Sequence, residues 1–211
     1  QVFRWNAIPD PQDGGQIDNA DVLSGRTVTQ NVGGTTVSVT TPTGLASEFS
    51  SVDIVTSGLP GGTNDFSSLK SIANSNQAGS YDIRFSQAVT NVSFSLSDLG
   101  TGLDYVDVTA FDANGNRVFL DINQGADLNV TQSGGIDTRI SERVQQTDGP
   151  NDPTASATVQ IPGPVSRIVI AHVGSAGDLS WIYVSDINFS TSTTTTVTAD
   201  DGNDVLNGGA G

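Results

Sequence analysis

Between Tyr81 and Phe111 the apolar residues fall on every second position. Ile83 and Phe85 share one face, Val92, Phe94 and Leu96 share another, and Val106, Val108 and Ala110 alternate with Asp107 and Thr109. A period of two is the period of a β-strand, whose successive side chains point to opposite sides of a sheet. Strands that are apolar on one face only belong to antiparallel sheets with one side on a core and one side in water. Such a sheet must be covered, and a chain without any apolar stretch of helical period covers it with a second sheet. The expectation is an all-β fold, two antiparallel sheets packed face to face as a jelly-roll-like sandwich. The 24 glycines and the many Ser, Thr, Asn and Asp residues supply the turns that short strands require.

Read in order, residues 3–8 form a first strand. Residues 26–32 and 35–41 form a hairpin turned at Gly33-Gly34, and 52–56 form a short strand. The Gly-, Ser- and Asn-rich stretch 58–80 reads as a long surface loop with one helical turn at Leu69, Ile72 and Ala73. Strands then follow at 81–86, 91–97, 105–112 and 117–121, with a tight turn on Asn114-Gly115. Residues 125–153 read as irregular, with one edge strand near 138–144. Strands at 156–161, 165–173 and 180–190 complete a sandwich domain over residues 1–190.

Beyond it, residues 191–199 are threonine-rich and read as an extended linker. Residues 200–211 then contain Asp201-Gly202-Asn203-Asp204-Val205-Leu206-Asn207-Gly208-Gly209-Ala210-Gly211. This stretch resembles the glycine- and aspartate-rich nonapeptide of the RTX (hemolysin-type) calcium-binding repeat family. Gly202, Asp204 and Leu206 match its glycine, aspartate and apolar positions, while Gly208, Gly209 and Gly211 begin a second unit. Ala199 and Asp200 depart from the leading Gly-Gly pair. The resemblance covers 11 residues and implies Ca²⁺ bound by Asp201, Gly202 and Asp204, with the ion shared between successive turns. It also implies an extracellular protein, exported by a type I channel or held at a cell surface.

The rhythm from Asn91 to Asn116, together with the strand at 182–189, is similar to jelly-roll modules of the galactose-binding-like kind. Those modules commonly carry a structural calcium. Here that implies an ion joining the 98–104 loop, through Asp98 and Asp104, to Asp186. Asp186 lies in phase with apolar Ile182 and Val184, and a buried carboxylate needs a cation or hydrogen-bond donors. Solvated loop acids, or an Asp186 that caps backbone amides at a sheet edge, satisfy the same pattern.

The chain has 23 acidic and 8 basic residues, a net charge of −15. No basic patch of the size that releases counterions from a phosphate backbone can be built from so few cations, which argues against nucleic acid and anionic membranes. No apolar run approaches the roughly 18 residues of a membrane span. Cysteine is absent, so there are no disulfides and no thiolate metal sites. His172, the only histidine, follows Ile168 and Ile170 in phase and reads as a core residue. No Gly-x-Ser-x-Gly elbow accompanies it, and no pair among the many carboxylates stands out for hydrolysis. Trp181 and Tyr183 share one strand face, either as core residues or as a platform on which sugar rings stack. The expectation is a non-enzymatic, calcium-binding extracellular module supporting adhesion or recognition of a surface glycan or polysaccharide. Self-association into a layer or fibre, and a polysaccharide-degrading enzyme, are the rival readings.

Overall fold

The computed structural model describes residues 1–10, 17, 21–50, 54–55, 64–65, 67–143 and 149–191. Asp201, Gly202, Asp204 and the threonine-rich stretch 192–199 lie outside the described residues.

The chain is built from antiparallel strands, with single 3-10 turns at Trp5–Ala7 and Pro153–Ala155. In order these are β1 (Val2–Phe3), β2 (Thr27–Val32), β3 (Thr35–Thr40), β4 (Ala46–Ser50), β5 (Ile54–Val55) and β6 (Asn64–Asp65). Next come β7 (Ser68–Ala73), β8 (Ala78–Ser97), β9 (Leu103–Phe111), β10 (Arg117–Val118), β11 (Asp121–Gln124) and β12 (Leu128–Ser133). The last are β13 (Ile136–Glu142), β14 (Ala157–Ile161), β15 (Val165–Gly174), β16 (Ser180–Ser185) and β17 (Ile187–Thr191).

Strand β8 organises the rest. It has 20 residues, which fully extended would span about 66 Å. The last strand ends at Thr191, and a compact domain of that length has a radius of gyration of about 16 Å, so the strand has to bend. It does so near Asn91, which adopts a left-handed φ of 50°. Up to Val89 β8 pairs with β3 and β15, and from Val89 onward with β14, β16 and β17. One strand therefore belongs to two sheets. The first runs β12-β13-β9-β15-β8-β3-β2; the second runs β11-β14-β8-β16-β7-β4, with β1 on β17. Ile83, Val106, Val108, Ile168 and Ile170 from the first sheet meet Leu69, Phe94, Leu96, Ile182 and Val184 from the second in one buried core. The all-β sandwich is thus observed.

Both expected turns are present. Gly33 and Gly34 have φ of 56° and 84°, the positive pair that a two-residue hairpin turn requires. At the second turn Asp112 accepts hydrogen bonds from the N–H groups of Asn114 and Asn116. The hydrogen bonds from Asn116, side chain first and then backbone, hold the Asp112 carboxyl below the usual carboxylate range.

Four expectations are corrected. The helical turn at Leu69, Ile72 and Ala73 is strand β7, paired with β4 on one side and β16 on the other. Its inward positions are Leu69, Ser71 and Ala73, and the buried serine hid the alternation. Within 125–153 the edge strand expected near 138–144 is β13, but it does not stand alone among the described residues, because it pairs with β12 in a hairpin turned at Gly134-Gly135. Residues 81–86 and 91–97 are one strand rather than two. The first strand stops at Phe3, where Trp5 begins a 3-10 turn.

Candidate functional site

Strands β7 and β16 carry the site on their outer face. The register sets Trp181 opposite Ile72 and Tyr183 opposite Lys70, and directly opposed residues share a face. Trp181 is 42% exposed, while Tyr183 on the same face is only 5% exposed. The Lys70 ammonium lies over the Trp181 ring, 4.6 Å from its centroid, and is 3.8 Å from Glu48 on β4. This contact fixes the indole plane through a cation–π attraction.

The end of β8 supplies the other wall. Ser97 pairs with Tyr183, so the next residue, Asp98, emerges beside the tyrosine. Asp98 takes a left-handed φ of 61°, a conformation that Asp tolerates better than most residues. From there the chain turns through Gly102, whose carbonyl accepts from the N–H of Ser175. Gly102 has φ +81°, and a Cβ on it would run into the Leu179 carbonyl. Only glycine lets the 98–102 loop approach the 174–179 turn this closely. The outcome is a cleft of about 390 Å³ lined by Asp98, Thr101, Gly149, Pro150, Leu179, Trp181 and Tyr183. Leu179 at its rim is 45% exposed. Burial, then the negative charge of Asp98, raises the Tyr183 pKa, so its hydroxyl stays protonated and can donate.

The structure thus brings together Asp98, Trp181 and Tyr183, which the sequence had placed in two separate candidate sites. Asp104 and Asp186 go elsewhere. Asp104 is exposed at the start of β9. Asp186 sits in a bulge between β16 and β17, where residues 185–187 face only residues 94–95 of β8. A bulge re-aims a side chain, and Asp186 turns to the N-terminal segment. Its carboxylate accepts from the Trp5 N–H at 3.0 Å and from the Ser67 hydroxyl at 2.9 Å. The indole N–H of Trp5 donates to the Ser185 carbonyl. This is the amide-capping alternative, and it leaves Trp5 fully buried rather than facing a ligand. No group of three acidic or histidine side chains is placed to hold a metal among the described residues.

His172 lies wholly inside. Its Nδ1 is 2.8 Å from the Ser71 hydroxyl and its Nε2 is 2.9 Å from the Ser180 hydroxyl. Burial pushes its pKa down to about 4, so the ring is neutral, one nitrogen donating and the other accepting. Nearby the buried Tyr81 hydroxyl is 2.8 Å from that of Ser47. These contacts tie β8 and β15 of the first sheet to β4, β7 and β16 of the second.

Thr101, Leu179 and Lys70 were not singled out from the sequence. Lys70, the only lysine, carried a signal in its rarity. Thr101 and Leu179 carried none, because their approach depends on how two loops meet.

No family model matches the chain, and no curated protein matches it. Among solved structures it is similar to the enzymatically active domain of tailspike protein 4 from bacteriophage CBA120. The identity is 12% and the TM-score 0.37, over 76% of this chain and 20% of that one. It is also similar to the K3 cleaved adhesin domain of Lys-gingipain from Porphyromonas gingivalis, with 15% identity and a TM-score of 0.35. That match spans 69% of this chain and 91% of that domain. The K2 domain of the same gingipain gives 15% identity and a TM-score of 0.35, over 69% of this chain and 82% of that one.

Proposed function

We propose that this chain is an extracellular recognition module that binds a glycan in the Trp181 cleft and supports adhesion without catalysing a reaction. The observation that carries the reading is Trp181 itself, a large aromatic ring left 42% exposed on an ordered strand beside a carboxylate and two hydroxyl groups. A sugar ring offers its C–H face to an indole and its hydroxyls to acceptors such as Asp98 and donors such as Tyr183. Asp98 is the one carboxylate among the described residues lining the cleft, whereas glycoside hydrolysis ordinarily needs a pair.

In this reading the 200–211 tail begins a calcium-binding repeat, with Asp201, Gly202 and Asp204 as ligands. Extracellular calcium modules bind at about 10⁻⁴–10⁻³ M, so the ion would stabilise the tail only outside a cell.

Tryptophan fluorescence tests the cleft. Trp5 is buried, so a change in emission on adding neutral oligosaccharides reports on Trp181. Trp181→Ala should weaken binding at least tenfold, roughly 1.4 kcal/mol, with the unfolding temperature little changed. Equal binding by wild type and Trp181→Ala, or no binding across a broad glycan panel, would remove the cleft from consideration. Thermal unfolding in calcium and in EDTA, on the full chain and on a chain ending at Thr191, tests the tail. The expected calcium effect is confined to the longer chain.

A further inference from the structure

The chain has only eight basic residues against 23 acidic ones, and they are not spread evenly. The ladder of the first sheet sets Arg84 opposite Arg167, Arg167 opposite Phe111, Phe111 opposite Arg117, and Arg139 opposite Asp107. Opposed residues share a face, and Ile83, Ile168 and Ile140 beside them point into the core. Half of the protein's cations therefore stand on the outer face of one sheet. Three of the four are committed. Asp82 takes both Arg84 and Arg167, while Asp107 takes Arg139 through two hydrogen bonds of 2.7 Å. The Arg139 guanidinium carbon also lies over the Tyr105 ring, 3.5 Å from its centroid. The Arg117 side chain is exposed and makes no hydrogen bond or ion pair among the described residues.

Arg117 borders a groove. Strand β9 pairs with β13 at Val106 and Asp107 and with β10 at Ala110 and Phe111. Where it changes partner, a groove of about 500 Å³ opens, lined by Thr109, Arg117, Thr131, Gln132, Thr138 and Arg139 among others. That volume is in the range of about 300–1,000 Å³ usual for small-ligand sites.

We propose that this groove is a second binding site, for an acidic sugar whose carboxylate or sulfate is held by Arg117. A guanidinium offers a planar fork matched to these anions. The Gln132 amide nitrogen is held by Asp137 and the Thr138 hydroxyl donates to the Thr131 carbonyl, which leaves the Gln132 amide oxygen and the Thr109 and Thr131 hydroxyls to meet the hydroxyl groups of a sugar. Asp107 also lines the groove, but Arg139 offsets its charge through their two hydrogen bonds, and at 0.15 M salt remote carboxylates are screened beyond about 8 Å. The site lies on a different sheet from the Trp181 cleft and stands or falls independently of it.

Native electrophoresis through gels containing polygalacturonate, dextran sulfate or neutral dextran, all in EDTA, tests the proposal. At least one acidic polymer should retard the wild type and Trp181→Ala equally, and Arg117→Ala should weaken that retardation at least fivefold with an unchanged unfolding temperature. Retardation by polygalacturonate alone assigns a carboxylate, and by dextran sulfate alone a sulfate. Retardation by neither acidic polymer, or equal retardation of Arg117→Ala, overturns the proposal. So does light scattering that detects Arg117-dependent self-association without any polymer, since that gives the face to a second copy of the chain.

Discussion

Strands β7 and β16 present two faces of opposite character. Inward they offer Ser71 and Ser180, which His172 fills on both ring nitrogens. Outward they offer Lys70, Trp181 and Tyr183, where an indole remains 42% exposed. The same two strands therefore satisfy their polar groups inside and leave an aromatic surface uncovered outside. A buried polar group without a partner costs more than its hydrogen bond returns, so the inner face is constrained by stability. The outer face carries no such penalty and is open to selection for binding. Stability and recognition are thus separated here, one residue apart along the strand.

The largest effect should come from acid acting on the inner face. The folded pKa of His172 is about 4 against an ordinary 6.5, so the unfolded chain takes up the proton first. Stability from this residue is complete above about pH 6.5, falls as the pH drops towards 4, and levels off below. The total is about 3 kcal/mol. Urea unfolding of wild type and His172→Gln across this range should show that part of the slope only in the wild type. Equal slopes would mean that His172 does not govern the inner face. A smaller effect, about 2 kcal/mol of backbone strain, is expected for Gly102→Ala. It should lower the unfolding temperature and glycan affinity together, because the same close approach builds the cleft. If affinity survived, the cleft would not depend on that loop.

Asp98→Asn sharpens the outer face. Removing its charge should lower affinity about fivefold, close to 1 kcal/mol. It should also lower the Tyr183 pKa, since Asp98 helps to raise it. Ultraviolet titration of the phenol reads this directly, and an unmoved Tyr183 would separate the two residues. Smallest is Lys70→Ala, which removes a cation–π contact worth about 0.5–1 kcal/mol. It should change Trp181 emission while leaving the acid sensitivity of His172 intact. Loss of that sensitivity would show the two faces to be coupled.

The sandwich was legible wherever apolar residues alternated, as in β9, β14 and β15, and His172 was placed correctly by its phase with Ile168 and Ile170. Strand β7 was not legible because its middle inward position is Ser71, which is tolerable inside only because His172 arrives from 101 residues away. Of the β12–β13 hairpin only β13 was legible, as the edge strand near 138–144, while β12 was hidden by its polar exposed side. In the site, Trp181 and Tyr183 could be paired from strand period alone. Their union with Asp98 could not, since it depends on β8 ending beside β16. Asp186 stood out rightly as a buried acid, but its donors, Trp5 and Ser67, lie more than a hundred residues upstream.

The bent strand shared by both sheets also imposes an order of events on synthesis. Strand β8 is complete at Ser97, yet β14 through β17, which line both of its edges, begin only at Ala157. At about 5–20 residues per second, the ribosome takes roughly 5 to 19 seconds to supply them through Thr191. For that interval the nascent chain carries a long strand whose open backbone groups are a template for pairing with a neighbour. The abundant aspartates of the growing chain then act as a kinetic safeguard, because like charges hold neighbouring chains apart until the strand has found its own partners.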